Sequence, residues 1–121
     1  MSPIGQLAAV TLDAPDPKAL AEFYSAVTGW QTLFASEDFA YIGTEDGSSR
    51  IGFQRVPGLK QPSWPGDDKQ MHLDFSVSDL DESVERLTSL GATRPDHQPG
   101  GEKWVVLIDP AGHPFCVTTM A

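Results

Sequence analysis

The sequence has one cysteine, Cys116, so no disulfide can form within the chain and nothing points to an oxidising compartment. Basic residues are also scarce: 8 Lys and Arg stand against 17 Asp and Glu, a formal net charge of −9. Nucleic acid and anionic membrane surfaces are recognised through Lys and Arg, so neither is an expected partner. A neutral or cationic ligand is easier to accept. No stretch approaches the roughly 20 apolar residues of a membrane span. The opening "MSPIGQLAAV" lacks the basic region and apolar run of a signal peptide, and a cytoplasmic location is the default expectation. Gly-x-Ser-x-Gly and Cys-x-x-Cys motifs are missing, and "PGGE" has neither the spacing nor the following helix of a phosphate loop.

What is present fits one folded domain of 121 residues, with 40% hydrophobic content to build a core. "QLAAVTLD" (Gln6 to Asp13) reads as a strand, and "APDPKALAEFYSAVTGW" as a helix with its punctuation. Asp16 is the N-cap, Pro17 the first helical residue and Gly29 the stop, with Leu20, Tyr24 and Val27 on one stripe. Strand-like pieces follow near 31–36, 39–42 and 50–56, with "EDGSS" as a hairpin turn. "PGLKQPSWPGDDK" (57–69) holds three prolines and two glycines and reads as a linker.

Then the pattern restarts. In "MHLDFSVSD", Met71, Leu73, Phe75 and Val77 are apolar while His72, Asp74, Ser76 and Ser78 are polar, a strand with one wet face. "DLDESVERLTSLGA" is a helix capped by Asp79, with Leu80, Val84, Leu87 and Leu90 as its buried stripe. Strands near 103–108 and 114–120 are joined by "DPAG" as a tight turn. Asp16 and Asp79 lie 63 positions apart, and the same offset relates Ala9 to His72, Tyr24 to Leu87 and Val27 to Leu90. The sequence thus reads as a duplicated β-α-β-β-β module, the first at about 6–56 and the second at about 70–120.

Together, "VTLDAPDPKALAEFYSAVTGW", "HLDFSVSDLDESVERLTSLGA" and "VVLIDPAGHPFCV" resemble the glyoxalase/bleomycin-resistance/extradiol dioxygenase superfamily, the vicinal oxygen chelate proteins. The resemblance spans nearly the whole chain. It implies an α+β fold, a single glyoxalase-like domain in which two β-α-β-β-β modules form a cupped mixed β-sheet. It also implies a homodimer. Metal-dependent members hold a divalent ion from the first and last strands of each module. By resemblance those positions are Ala9, His72, Gln54 and Cys116. Ala9 offers no donor, Gln54 only a neutral carbonyl, and Cys116 stands where a glutamate is usual. The expected metal donors are therefore His72 and Gln54 alone, a set without a carboxylate.

Residue chemistry leaves several readings open. His72 reads as a metal ligand, a general base, an acid–base partner of Asp74, or a polar residue on a wet face. Cys116 reads as a thiolate ligand, a nucleophile or a small buried hydrophobe. His113 belongs to the turn and His97 to a loop, while Trp30 and Trp104 read as packing residues. Trp64, in the linker, reads as a lid over a ligand or as a packing or dimer contact. By period two the wet face gathers Leu7, Ala9, Thr11, His72, Asp74 and Ser76 from first strands. Arg50, Gly52, Val56, Thr118 and Met120 join them from last strands.

This mixed lining suits a small organic molecule, neutral or cationic, contacted by Ala9, Thr11, Gln54, His72, Asp74, Trp64 and Cys116. The expectation is a bleomycin-resistance-like binder without a complete metal site and with no cofactor. The alternative is a lyase, isomerase or dioxygenase using Zn, Ni, Mn or Fe. The sequence does not decide whether the protein is an enzyme.

Overall fold

The segments with alternating polarity pair into strands, and the two with a 3.6-residue stripe form helices. The computed structural model describes Pro3, residues 7–59 and residues 72–119. The chain divides into two compact units, Met1–Leu59 and Lys60–Ala121, the first built on a β-α-β-β-β pattern and the second, among its described residues, on β-α-β-β.

The first unit runs β1 (Val10–Ala14), α1 (Pro17–Thr28), β2 (Gln31–Ala35), β3 (Phe39–Gly43) and β4 (Arg50–Arg55). Its sheet has the order β1-β4-β3-β2, with β1 parallel to β4 and the other pairs antiparallel. Helix α1 starts where the Asp16 carboxylate accepts from the Ala19 N–H at 3.3 Å, ahead of Pro17. It ends at Gly29, whose φ of 75° lets its N–H donate to the Ser25 carbonyl at 2.8 Å. Leu20, Ala21, Phe23 and Tyr24 are buried, and Tyr24 stacks on Phe53 of β4 with centroids 5.9 Å apart. Each large side chain buried this way stabilises the unit by about 1.5–3 kcal/mol. The opposite sheet face keeps Thr11, Asp13 and Gln54 exposed.

The second unit runs β5 (Leu73–Ser76), α2 (Leu80–Ser89), β6 (Trp104–Ile108) and β7 (Pro114–Thr118). Its sheet has the order β5-β7-β6, with β5 parallel to β7 and β6 antiparallel to it. The Asp79 carboxylate caps α2 by accepting from the Glu82 N–H at 3.0 Å. Leu87 is buried, and Leu107, Phe115 and Val117 complete the core beneath. Between β6 and β7 the Asp109 carboxylate accepts from the N–H groups of Ala111 at 2.8 Å and His113 at 2.9 Å. Gly112, at φ 96°, closes that turn.

The two sheets share one wiring: the first strand lies parallel to the last, and the last antiparallel to its predecessor. They differ at the far edge. Where the first unit has β2, the second has, among its described residues, an isolated bridge, Thr93 to Ile108. There a side chain takes the place of a strand. The Gln98 amide donates to the Val106 carbonyl and accepts from the Val106 N–H, both at 2.9 Å.

Three sequence expectations shift. The first strand begins at Val10, where the ladder starts with the Val10–Ile51 pair, later than expected; residues 7–9 lie outside it and Gln6 lies outside the described residues. Ala9 therefore precedes the strand, and Leu7 is 83% exposed. Leu90 was expected in the buried stripe of α2 but is exposed, because α2 ends at Ser89 and Leu90 is the cap residue beyond it. Trp104 packs over Gly100 yet stays partly exposed. Trp64, Met120 and most of the 57–69 linker lie outside the described residues. Among the described residues, no helix is long and apolar enough to cross a membrane.

Candidate functional site

Alternation along β5 sets the starting geometry. Leu73 and Phe75 take the half-buried face of β5, where Phe75 meets Phe115 edge-on at 5.9 Å. His72, Asp74 and Ser76 are thereby left on the exposed face. His72 Nε2 lies 3.4 Å from Asp74 Oδ1, with the two side chains 50% and 58% exposed. A contact that exposed contributes at most about 0–1 kcal/mol to stability.

The third member comes from β7. The parallel register pairs Asp74 with Cys116, and the antiparallel register pairs Cys116 with Val106. Cys116 is thus held on a central strand, flanked on both sides, and is buried. One ligand atom each from His72, Asp74 and Cys116 lies within 4.8 Å of the others. Buried thiol and exposed imidazole and carboxylate form a centre that is closed on the sulfur side and open on the other. In the next row, Ser76 pairs with Thr118, whose hydroxyl donates to the Lys103 carbonyl at 3.0 Å.

Among its described residues, the first unit has no equivalent centre. The corresponding row is Thr11–Gly52–Tyr41, followed by Asp13–Gln54–Phe39. Thr11 stands at the place of Asp74, Gly52 at that of Cys116, and Ala9 precedes β1 as His72 precedes β5. This corrects the expected equivalence of Gln54 and Cys116. The offset between modules is 63 on the first strand but 64 on the last, so the counterpart of Gln54 is Thr118. Gln54 sits in the other unit, one row beyond the Cys116-equivalent position. Tyr41 and Phe39, with rings 4.7 Å apart, join Thr11 and Gln54 on that face. Sequence reasoning passed over both, although the alternation in "FAYIG" carries the signal.

Of the residues singled out from sequence, His72, Asp74 and Cys116 come together. Thr11 and Gln54 sit on neighbouring rows of the first unit, with Ala9 just before them. The expected metal set contained no carboxylate; the structure places that of Asp74 beside His72 and Cys116, a group that could hold a metal ion. The signal was available two residues from His72 on the same strand face. The chemistry of the set fits a divalent metal: imidazole, carboxylate and thiolate are the donor types that zinc and related ions take, and three protein donors with an open position match catalytic sites.

Comparison with known proteins gives a consistent picture. A family model described as a glyoxalase-like domain matches residues 9–118. The fold is similar to that of a glyoxalase-related enzyme from Fulvimarina pelagi, with TM-score 0.66, 24% identity and coverage of 95% of this chain and 88% of that one. It is similar to the fosfomycin resistance protein FosX from Mesorhizobium loti, with TM-score 0.71, 19% identity and coverage of 98% and 94%. It is also similar to a mutant FosX from Listeria monocytogenes complexed with Mn(II) and 1S,2S-dihydroxypropylphosphonic acid, with TM-score 0.72, 17% identity and the same coverage. At these identities the likenesses show the fold. A search of curated proteins by sequence gives no match.

Proposed function

The chain belongs to the glyoxalase-like domain family, and from that premise we propose that it binds a small organic molecule at a metal-assisted site centred on His72, Asp74 and Cys116. The observation that carries the reading is the convergence of three metal-ligating atoms within 4.8 Å. His72 and Asp74 would hold the ion from the open side and Cys116 from the buried side. When bound, a divalent ion there supplies Lewis acidity to oxygen atoms of the ligand. Ser76 and Thr118, one row further along, offer hydroxyls to orient it. The Listeria protein of similar fold, which holds Mn(II) with a dihydroxy compound, illustrates such a pairing. A net charge of −9 favours neutral or cationic ligands over anions. The reaction classes that fit are lyase, isomerase or dioxygenase. A reducing compartment such as the cytoplasm would keep Cys116 a thiol.

A metal-free binder of the bleomycin-resistance kind is the second reading. It is favoured by the first unit, where Ala9, Thr11 and Gly52 supply neither imidazole, thiolate nor carboxylate. A homodimer, which the family resemblance implies, is part of both readings; sedimentation analysis tests it.

Metal content of the purified protein, followed by titration with Zn(II), Ni(II), Mn(II) and Fe(II), separates the two. The metal-assisted reading expects about one ion per chain and a gain of about 2.7 kcal/mol in stability at 100 times the dissociation constant. Ligand binding without any metal, unchanged in His72→Ala, would establish the metal-free reading instead.

A further inference from the structure

We infer that Cys116 makes this centre selective for zinc-like ions, Zn(II) and Co(II), over Mn(II) and Mg(II). The inference rests on the metal-assisted reading above and specifies the cofactor class. Its basis is position. Cys116 is the only thiol of the chain and is buried on the central strand of its sheet. Backbone pairing on both sides fixes it, to Asp74 on β5 and to Val106 on β6. His72 and Asp74 are themselves in contact at 3.4 Å, and one ligand atom of each lies within 4.8 Å of the Cys116 sulfur, so the three residues could hold one ion together. Binding forms a metal–sulfur bond and releases the thiol proton to solvent. Thiolate sulfur favours the borderline and soft ions, whereas Mg(II) and Mn(II) favour all-oxygen sets. Two of the three donors here, imidazole and thiolate, are not oxygen. Asp74 supplies the carboxylate that position 116 does not, which keeps the set at three protein donors with room for a ligand on the side where His72 and Asp74 are exposed.

Titration of the intact protein with Co(II), followed by near-ultraviolet absorption, tests the inference without any substrate. A thiolate-to-cobalt charge-transfer band can arise only from Cys116, since the chain has no other sulfur that ionises. The band is expected to saturate at one equivalent, to vanish when equimolar Zn(II) is added, and to survive about a hundredfold excess of Mn(II) or Mg(II). Cys116→Ser should lose the band and weaken Zn(II) binding beyond the roughly 10–100-fold typical of losing an outer partner. Because Cys116 lies buried in the sheet, the cobalt band and its competition by Mn(II) are read on the unaltered chain, so the test does not depend on the variant folding. Cobalt binding without the band, or Mn(II) competing as well as Zn(II), would overturn the selectivity while leaving a metal site in place. Failure of every ion to bind would remove both the selectivity and the metal-assisted reading.

Discussion

Asp74 and Cys116 are register partners across the parallel β5–β7 pair, so a carboxylate and the single thiol of the chain share one row of the sheet. His72 reaches the same face by period two. Because Asp74 is more than half exposed, it contributes little to folding, and Asp74→Asn should change the stability of the metal-free protein by no more than about 0.5 kcal/mol. The same substitution should weaken Zn(II) by at least about tenfold. Thermal unfolding with and without Zn(II) reads both. Equal destabilisation in the two conditions would mean that Asp74 is structural.

Gly52 is required by its neighbours rather than by its backbone. A methyl group built there would lie 2.9 Å from Thr11 Oγ1 and 2.9 Å from Tyr41 Cε1. Gly52→Ala must therefore push the Tyr41 ring off the sheet, at an expected cost of about 1–3 kcal/mol. Urea unfolding measures this, and a midpoint equal to that of the wild type would show that the ring moves freely.

Gln98 stands in for a strand. Removing its amide in Gln98→Ala leaves both backbone groups of buried Val106 without that partner. The expected loss is about 1–3 kcal/mol. Amide exchange at Val106 should accelerate more than exchange along β7; uniform acceleration would argue against a local role.

Asp46 gives an acid-dependent prediction. The Ser48 N–H, donating at 2.9 Å, and then the Ser48 and Thr44 hydroxyls hold its pKa down, from 3.8 to about 2. A depressed folded-state pKa adds stability that is fully present above 3.8 and disappears as pH falls through about 2. Asp46→Asn should thus be less stable than the wild type at neutral pH, and the gap should close across that window. A gap independent of pH would refute the assignment.

Much of the fold was legible because its signals are local. Asp16 with Pro17, and Asp79 three residues before Glu82, mark helix starts through bonds that span three residues. Gly29 marks a stop through its own φ. Leu90 misled because the periodicity of apolar residues runs one position past the last helical turn, and pattern alone does not say where hydrogen bonding ends. The loop before β6 was legible as a loop from its prolines and glycines, but not that it pairs with β6 through one bridge and one glutamine side chain.

The sequence by itself determined which side chains of β5 face away from the core, since alternation fixes His72, Asp74 and Ser76 on one face whatever the strand pairs with. It also determined that the module is repeated, because caps and stripes recur at one spacing. Only the tertiary structure decided which residue of the last strand stands opposite Asp74. That choice depends on the register between segments far apart in the chain, and a slip of one residue turns every side chain to the other face. The slip from a 63- to a 64-residue offset between first and last strands moved the counterpart of Cys116 from Gln54 to Gly52. Backbone pairing and core packing on Phe115 and Val117 set that register, and it brings sulfur, carboxylate and imidazole together in the second unit alone among the described residues.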